Sequence, residues 1–184
     1  MRVFIAIPIP GKCLEFLSQI QDQLKECAAD VRWTRIDSIH LTLKFLGEID
    51  PGTLPVLTES LYSVVHPFKS LNLRLTGWGS FPNWKNPRII WYGIEGDLDA
   101  LCSLQGSVET VCGKIGFPPE DRPFKPHLTL GRVKSRKNLV LLTDRMEIGS
   151  RGECLFNASH FNIYKSILKP QGAVYTVLET IALE

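Results

Sequence analysis

The chain has 184 residues, 44% apolar and 22% charged, with a formal net charge of +2. This suits a soluble globular protein of one domain, or of two small lobes sharing a core, and it is too near neutral to coat nucleic acid through charge alone, leaving only a local basic pocket. Five cysteines (Cys13, Cys27, Cys102, Cys112, Cys154) form an odd set with no Cys-x-x-Cys pair, which speaks against a disulfide framework or a zinc ribbon and for buried thiols in a reducing cytosol.

In chain order, "MRVFIAIPIP" opens with an apolar run too short to span a bilayer and lacks a signal-peptide cleavage context. It reads as a first strand, "RVFIAI", ended by Pro8, in a cytoplasmic protein with no membrane partner. Over 11–29, Leu14, Leu17, Ile20 (or Gln21) and Leu24 recur at helical spacing. "VRWT" and "HLTLKFLG" read as strands, the second stopped by Gly47, and a helix follows over 53–65. "LNLRLTGW" alternates as a strand, "SFPNWKNP" is turn-rich, and "RIIWYGI" is the next strand. Asp97 is placed to cap a helix that runs to 114. The second half then offers a strand "PHLTLGRV", a short helix "KNLVLLTDRM", and a hairpin of "HFNIYKSIL" and "AVYTVLETIAL" across "KPQG". The order implies an α+β fold of mainly antiparallel sheet, with two pseudo-repeats packed as one bilobal unit over 1–184, helices outside and a central cleft.

The tetrad His-Leu-Thr-Leu occurs at 40–43 and again at 127–130. At this composition the chance of one such tetrad is roughly 0.4%, so internal repetition is the stronger reading. Strand alternation places His40, Thr42 and Lys44 on one face, with Leu41, Leu43 and Phe45 on the core side. His127 and Thr129 repeat the pattern, and Arg132 is taken to continue that polar face as the counterpart of Lys44. Brought together about a pseudo-two-fold axis, the two rows furnish one cleft with two imidazoles, two hydroxyls and cations. A lone His-x-Thr on a sheet is ordinarily a solvated face; the pair carries the signal. His66 and His160 have no Thr two residues on and read as structural or surface residues.

These groups suit hydrolysis or transesterification of a phosphodiester. One imidazole takes a proton from the attacking oxygen and the other protonates the leaving oxygen, with a pKa close to the operating pH. Threonine hydroxyls and a cation bind the non-bridging oxygens. Neither tetrad has an Asp, Glu or Cys beside it on the polar face, and a hydrolytic zinc site needs three protein ligands, so no metal or other cofactor is expected. The near-symmetry of the motifs leaves acid and base unassigned. Phe81 and Trp91 are candidates for stacking on a base, with packing the equal alternative, while Lys44 and Lys125 either line the cleft or lie on a solvated face.

At these residues the chain resembles the 2H phosphoesterase superfamily, and within it the RNA 2′,3′-cyclic phosphodiesterases, also named 2′–5′ RNA ligases. "RVFIAIPIP", "HLTLKFLGEI", "NPRIIWYGI", "FKPHLTLGR" and "YKSILKPQGAVYTVL" carry the likeness over nearly the whole chain. The resemblance implies metal-independent hydrolysis of a 2′,3′-cyclic phosphate to a 2′-phosphate. It also implies that His40 is the proton donor, that His127 is the proton acceptor, and that Thr42, Thr129 and Arg132 bind the phosphate. The implied partners are RNA ends or nucleotides bearing the cyclic phosphate, tRNA fragments among them, acted on by a monomer. Two alternatives stand beside this reading: 2′–5′ ligation by the reverse reaction, and a non-catalytic module that holds RNA ends.

Overall fold

The computed structural model describes residues 1–148, 152–169 and 172–184. Its first strand, β1 (Arg2–Pro8), is apolar without alternation because strands flank it and both its faces are covered; Val3 to Ile7 are all buried. Helix α1 (Gly11–Lys25) turns Cys13, Leu17, Ile20, Gln21 and Leu24 inward at the helical period, and the chain crosses to a short strand, β2 (Val31–Trp33). A 3-10 turn (Ile36–Ser38) leads into β3 (His40–Glu48), the first motif strand. Helix α2 (Leu54–Val65) follows a second turn (Pro51–Thr53) whose Asp50 carboxylate accepts from the Gly52 amide at 2.7 Å.

The hairpin of β4 (Leu71–Phe81) and β5 (Ile89–Gly96) precedes α3 (Leu98–Lys114) and then β6 (His127–Val133), the second motif strand. Asp97 does hold the position before α3, but its carboxylate makes no cap bond there. It accepts from the Asn72 amide of β4 at 2.8 Å. Helix α4 (Leu139–Ile148) precedes β7 (Glu153–Ala158), and the chain closes on β8 (His160–Lys169) and β9 (Gly172–Ala182). Pro170 and Gln171 of the expected "KPQG" turn lie outside the described residues.

All pairings are antiparallel, in two sheets ordered β3-β1-β8-β9 and β2-β6-β5-β4-β7. The α+β expectation therefore holds. The two motif strands are not hydrogen-bonded to each other; each belongs to its own sheet, and they meet only across a cleft.

Two features depart from the sequence reading. The strand β7 was not expected; it completes the second sheet beside β4, turning Phe156 and Ala158 into the core. The cysteines also differ from the all-thiol expectation, since Cys13 of α1 and Cys154 of β7 form a disulfide across 141 residues of sequence. Parity of the cysteine count does not bear on a single bond of this kind, and Cys27, Cys102 and Cys112 stay as thiols.

Candidate active site

Each motif strand keeps a regular register with one neighbour, β3 with β1 and β6 with β5, as far as its threonine. There the register slips. In β3, Ala6 faces Thr42 but Ile5 faces Lys44, so Leu43 is an extra residue; in β6, Trp91 faces Thr129 but Ile90 faces Gly131, so Leu130 is extra. This is the same β-bulge twice, and a bulge shifts every later side chain to the opposite face. Consecutive residues Leu43 and Lys44 are both buried at 2% exposure, whereas Phe45, expected in the core, is 56% exposed on the cleft side.

The expected placement of Lys44 is therefore overturned. Its ammonium is buried against Glu109 Oε1 of α3 at 2.6 Å and the Pro118 carbonyl at 2.9 Å. Arg132 reaches the cleft for the same reason that Phe45 does. It stands five residues after His127, as Phe45 stands five after His40, so Phe45 and not Lys44 is its counterpart. Gly131 occupies the Lys44 position because β2 presses on it. A Cβ there would lie 2.6 Å from Val31 Cγ1.

At each bulge a glutamine from a helix donates to the carbonyl of the extra residue, in β6 beside the Thr34 amide that also bonds it at 2.8 Å. Gln21 of α1, almost wholly buried, donates to the Leu130 carbonyl at 2.9 Å and the Thr34 carbonyl at 2.8 Å. Gln105 of α3 donates to the Leu43 carbonyl at 3.3 Å. The two halves thus repeat the support as well as the tetrad. Gln21 was visible in the sequence only as an ambiguous position in an apolar stripe, and Gln105 gave no signal.

The histidines are held alike. His40 Nδ1–H donates to the Ser38 carbonyl at 2.8 Å, and His127 Nδ1–H to the Lys125 carbonyl at 2.6 Å, each two residues back. A carbonyl can only accept, so in the neutral imidazole the Nδ1 proton is fixed and Nε2 presents its lone pair. Phe4 lies against His40 with ring centroids 4.6 Å apart, and Tyr175 meets it edge-on at 5.2 Å. Phe81 meets His127 edge-on at 4.9 Å, with Trp91 at 6.1 Å. Burial against these rings pushes the His40 pKa down to about 4 against the Ser38 hydrogen bond. Burial likewise lowers that of His127; the Lys125 carbonyl opposes this, and the Arg132 cation adds to it.

Both histidines, Thr42, Thr129 and Arg132 line one cavity of about 330 Å³. Phe81 and Trp91 do not line it. They wall His127 from behind, and the indole of Trp91 fills the space that a Cβ at its cross-strand partner Gly79 would need. The aromatic side chains that line the cavity are Phe4, Trp33, Phe45 and Tyr175. Lys125 is exposed and outside it, contributing only its carbonyl. Among the described residues the lining contains Arg2, Arg32, Arg35 and Arg132 and no carboxylate. Also among the described residues, no group of three His, Cys, Asp or Glu side chains is arranged to hold a metal ion.

Comparison with known proteins fits this arrangement. A family profile described as LigT-like phosphoesterase matches residues 7–91 and 95–175. An RNA 2′,3′-cyclic phosphodiesterase of Methanothermobacter thermautotrophicus is 31% identical, aligned over 100% of this chain and 99% of the relative. One from Methanocaldococcus jannaschii is 35% identical, over 97% of this chain and 99% of its own. A crystal structure of a Thermus thermophilus protein superposes with a TM-score of 0.80 at 28% identity, covering 100% of this chain and 98% of that one.

Proposed function

We propose that this chain, which belongs to the LigT-like phosphoesterase family, hydrolyses the 2′,3′-cyclic phosphate of an RNA end or nucleotide to a 2′-phosphate. The observation that carries the reading is the matched pair of imidazoles. Each is tied at Nδ1 to a carbonyl two residues back, and both line one carboxylate-free cleft.

In this mechanism His127 Nε2 takes a proton from water as the water oxygen bonds to phosphorus. The P–O3′ bond breaks, and His40 Nε2–H protonates the departing 3′ oxygen. One proton enters the site and one leaves, and the 2′ ester survives. The Arg132 cation, which disfavours protonation of His127, suits His127 to the base role. His40, neutral in the free protein above pH 4, must gain a proton to act as the acid. The anionic cyclic phosphate supplies the reason, since an opposite charge beside the imidazolium restores what burial removes. Thr42 and Thr129 donate to the non-bridging oxygens, and Arg132 stabilises the charge that grows on them.

The donor set needs no metal, and the decisive experiment is run in excess EDTA. A short RNA ending in 2′,3′-cyclic phosphate is incubated with the purified protein, and 2′- and 3′-phosphate products are resolved. The reading requires 2′-phosphate, with turnover lost by at least about a hundredfold in His40→Ala and in His127→Ala. Binding without turnover would leave only a cradle for RNA ends.

A further inference from the structure

The reacting phosphate accounts for one cation of the cleft, and the cleft holds more. In the short β2–β6 ladder, Arg32 is the direct register partner of Arg132. Directly opposed side chains sit with Cβ atoms about 5 Å apart, and like charges there repel. Both residues line the cleft, and among the described residues neither has a carboxylate within ion-pair distance. Arg2 enters from β1 in the other sheet. Its register partner is Glu48, yet that carboxylate pairs with the Met1 ammonium at 3.3 Å and leaves Arg2 to the cleft. Tyr175, which lines the same cavity, is under the influence of both Arg2 and Arg132. Arg35, by contrast, is held by Asp37.

Three guanidiniums from two sheets without a carboxylate partner, two of them opposed in one ladder, favour a ligand that carries more than one negative charge. A cyclic phosphate diester carries one. We propose that Arg2 and Arg32 form a second phosphate subsite, taking the phosphodiester on the 5′ side of the reacting ribose while Arg132 stays on the reacting phosphate. The substrate is then the end of a polynucleotide and not a free mononucleotide. This inference rests on the reading of the cleft as a cyclic phosphodiesterase site and refines its substrate.

The test is equilibrium binding of product-like probes by titration calorimetry, which needs no turnover. Cytidine 2′-phosphate, cytidine 2′,5′-bisphosphate and the dinucleotide CpC ending in 2′-phosphate are compared on the wild type, Arg2→Ala, Arg32→Ala and the milder Arg32→Gln. The dinucleotide should bind at least about tenfold tighter than the mononucleotide, the weight of one charge-assisted contact. That ratio should fall towards one in each variant. The salt slope of log Kd should be steeper for the dinucleotide by about 0.7, the single-strand value for one phosphate, and the excess should vanish with Arg32. A wild-type ratio near one, or a ratio untouched by all three variants, overturns the subsite. If the bisphosphate binds tenfold or more tighter than the dinucleotide, the subsite serves a terminal monoester and the polynucleotide preference is wrong. Turnover of CpC ending in 2′,3′-cyclic phosphate is followed separately; its absence with the binding ratio intact would sink the catalytic reading and leave the subsite standing.

Discussion

Lowering the pH from 8 to 5 should weaken the fold through His40 alone by about 2 kcal/mol. The imidazole is held near 4 in the folded protein, whereas in the unfolded chain it titrates near 6.5. The folded state therefore binds fewer protons than the unfolded state between those two values, and stability falls as pH descends through that window. The gap corresponds to about 3 kcal/mol when fully expressed; roughly 2 kcal/mol of it has been lost by pH 5, and below pH 4 both states are protonated and this loss stops growing. His127 acts in the same direction, since its pKa is also lowered. Urea unfolding of the wild type and His40→Gln, followed by tryptophan fluorescence at pH 5, 6, 7 and 8, isolates the contribution. The stability difference between pH 8 and pH 5 should be smaller in the variant by about 2 kcal/mol. If the two proteins lose stability in parallel, His40 titrates in the fold as it does in water and the argument from burial is wrong.

The same depression shapes catalysis. Because kcat/KM reports the free enzyme, in which His40 must be protonated and His127 neutral, it should peak below pH 6.5 and decline towards pH 8; a profile rising through pH 7 and 8 would contradict this. Gln21→Leu removes the amide that bridges the Leu130 and Thr34 carbonyls and should lower kcat by about tenfold with little change in KM, as expected of a residue that positions β6 without touching substrate. Lys44→Ala empties a buried site and takes the cation away from the half-buried Glu109 carboxylate, and should cost about 3 kcal/mol in chemical denaturation. Phe45→Ala should leave stability within about 0.5 kcal/mol because the ring is exposed, yet weaken nucleotide binding by about 1–3 kcal/mol if a base stacks on it. Trp91→Ala, in contrast, should destabilise the fold by about 3 kcal/mol, read as a drop in thermal midpoint.

Much of the fold was legible because its segments obey simple periods. The helices at α1 and α3 and the alternating strands of β4 and β5 follow from spacing, and the repeated tetrad located both motif strands. What strand alternation cannot see is a bulge. Up to Leu43 and Leu130 the period of two placed side chains on the faces they occupy; at the next residue it failed in both strands, exchanging Lys44 for Phe45 and bringing Arg132 to the cleft. The sequence clue was an adjacent pair of buried positions, Leu43–Lys44 and Leu130–Gly131, but a lysine inside the core is intelligible only once Glu109 is beside it. The strand β7 escaped notice because its inward residues, Cys154, Phe156 and Ala158, include two small ones, and the exposed Leu155 between them breaks the apolar–polar alternation. Arg2 and Arg32 escaped for a different reason. They lie on strands of different sheets, and only the tertiary fold brings them to one cavity.

The interlaced strand order also governs when this protein can fold during its synthesis. The first motif strand rests on β1, and β1 needs β8 on its other side. Until residues beyond 160 leave the ribosome, the first sheet is only the β1–β3 pair, braced by α3 through Gln105 and Glu109 and still lacking β8 and β9. The second sheet likewise awaits β7, which follows the second motif. Both walls of the cleft are therefore completed by the last quarter of the chain, so a nascent protein can carry both histidines and still offer no pocket in which they meet.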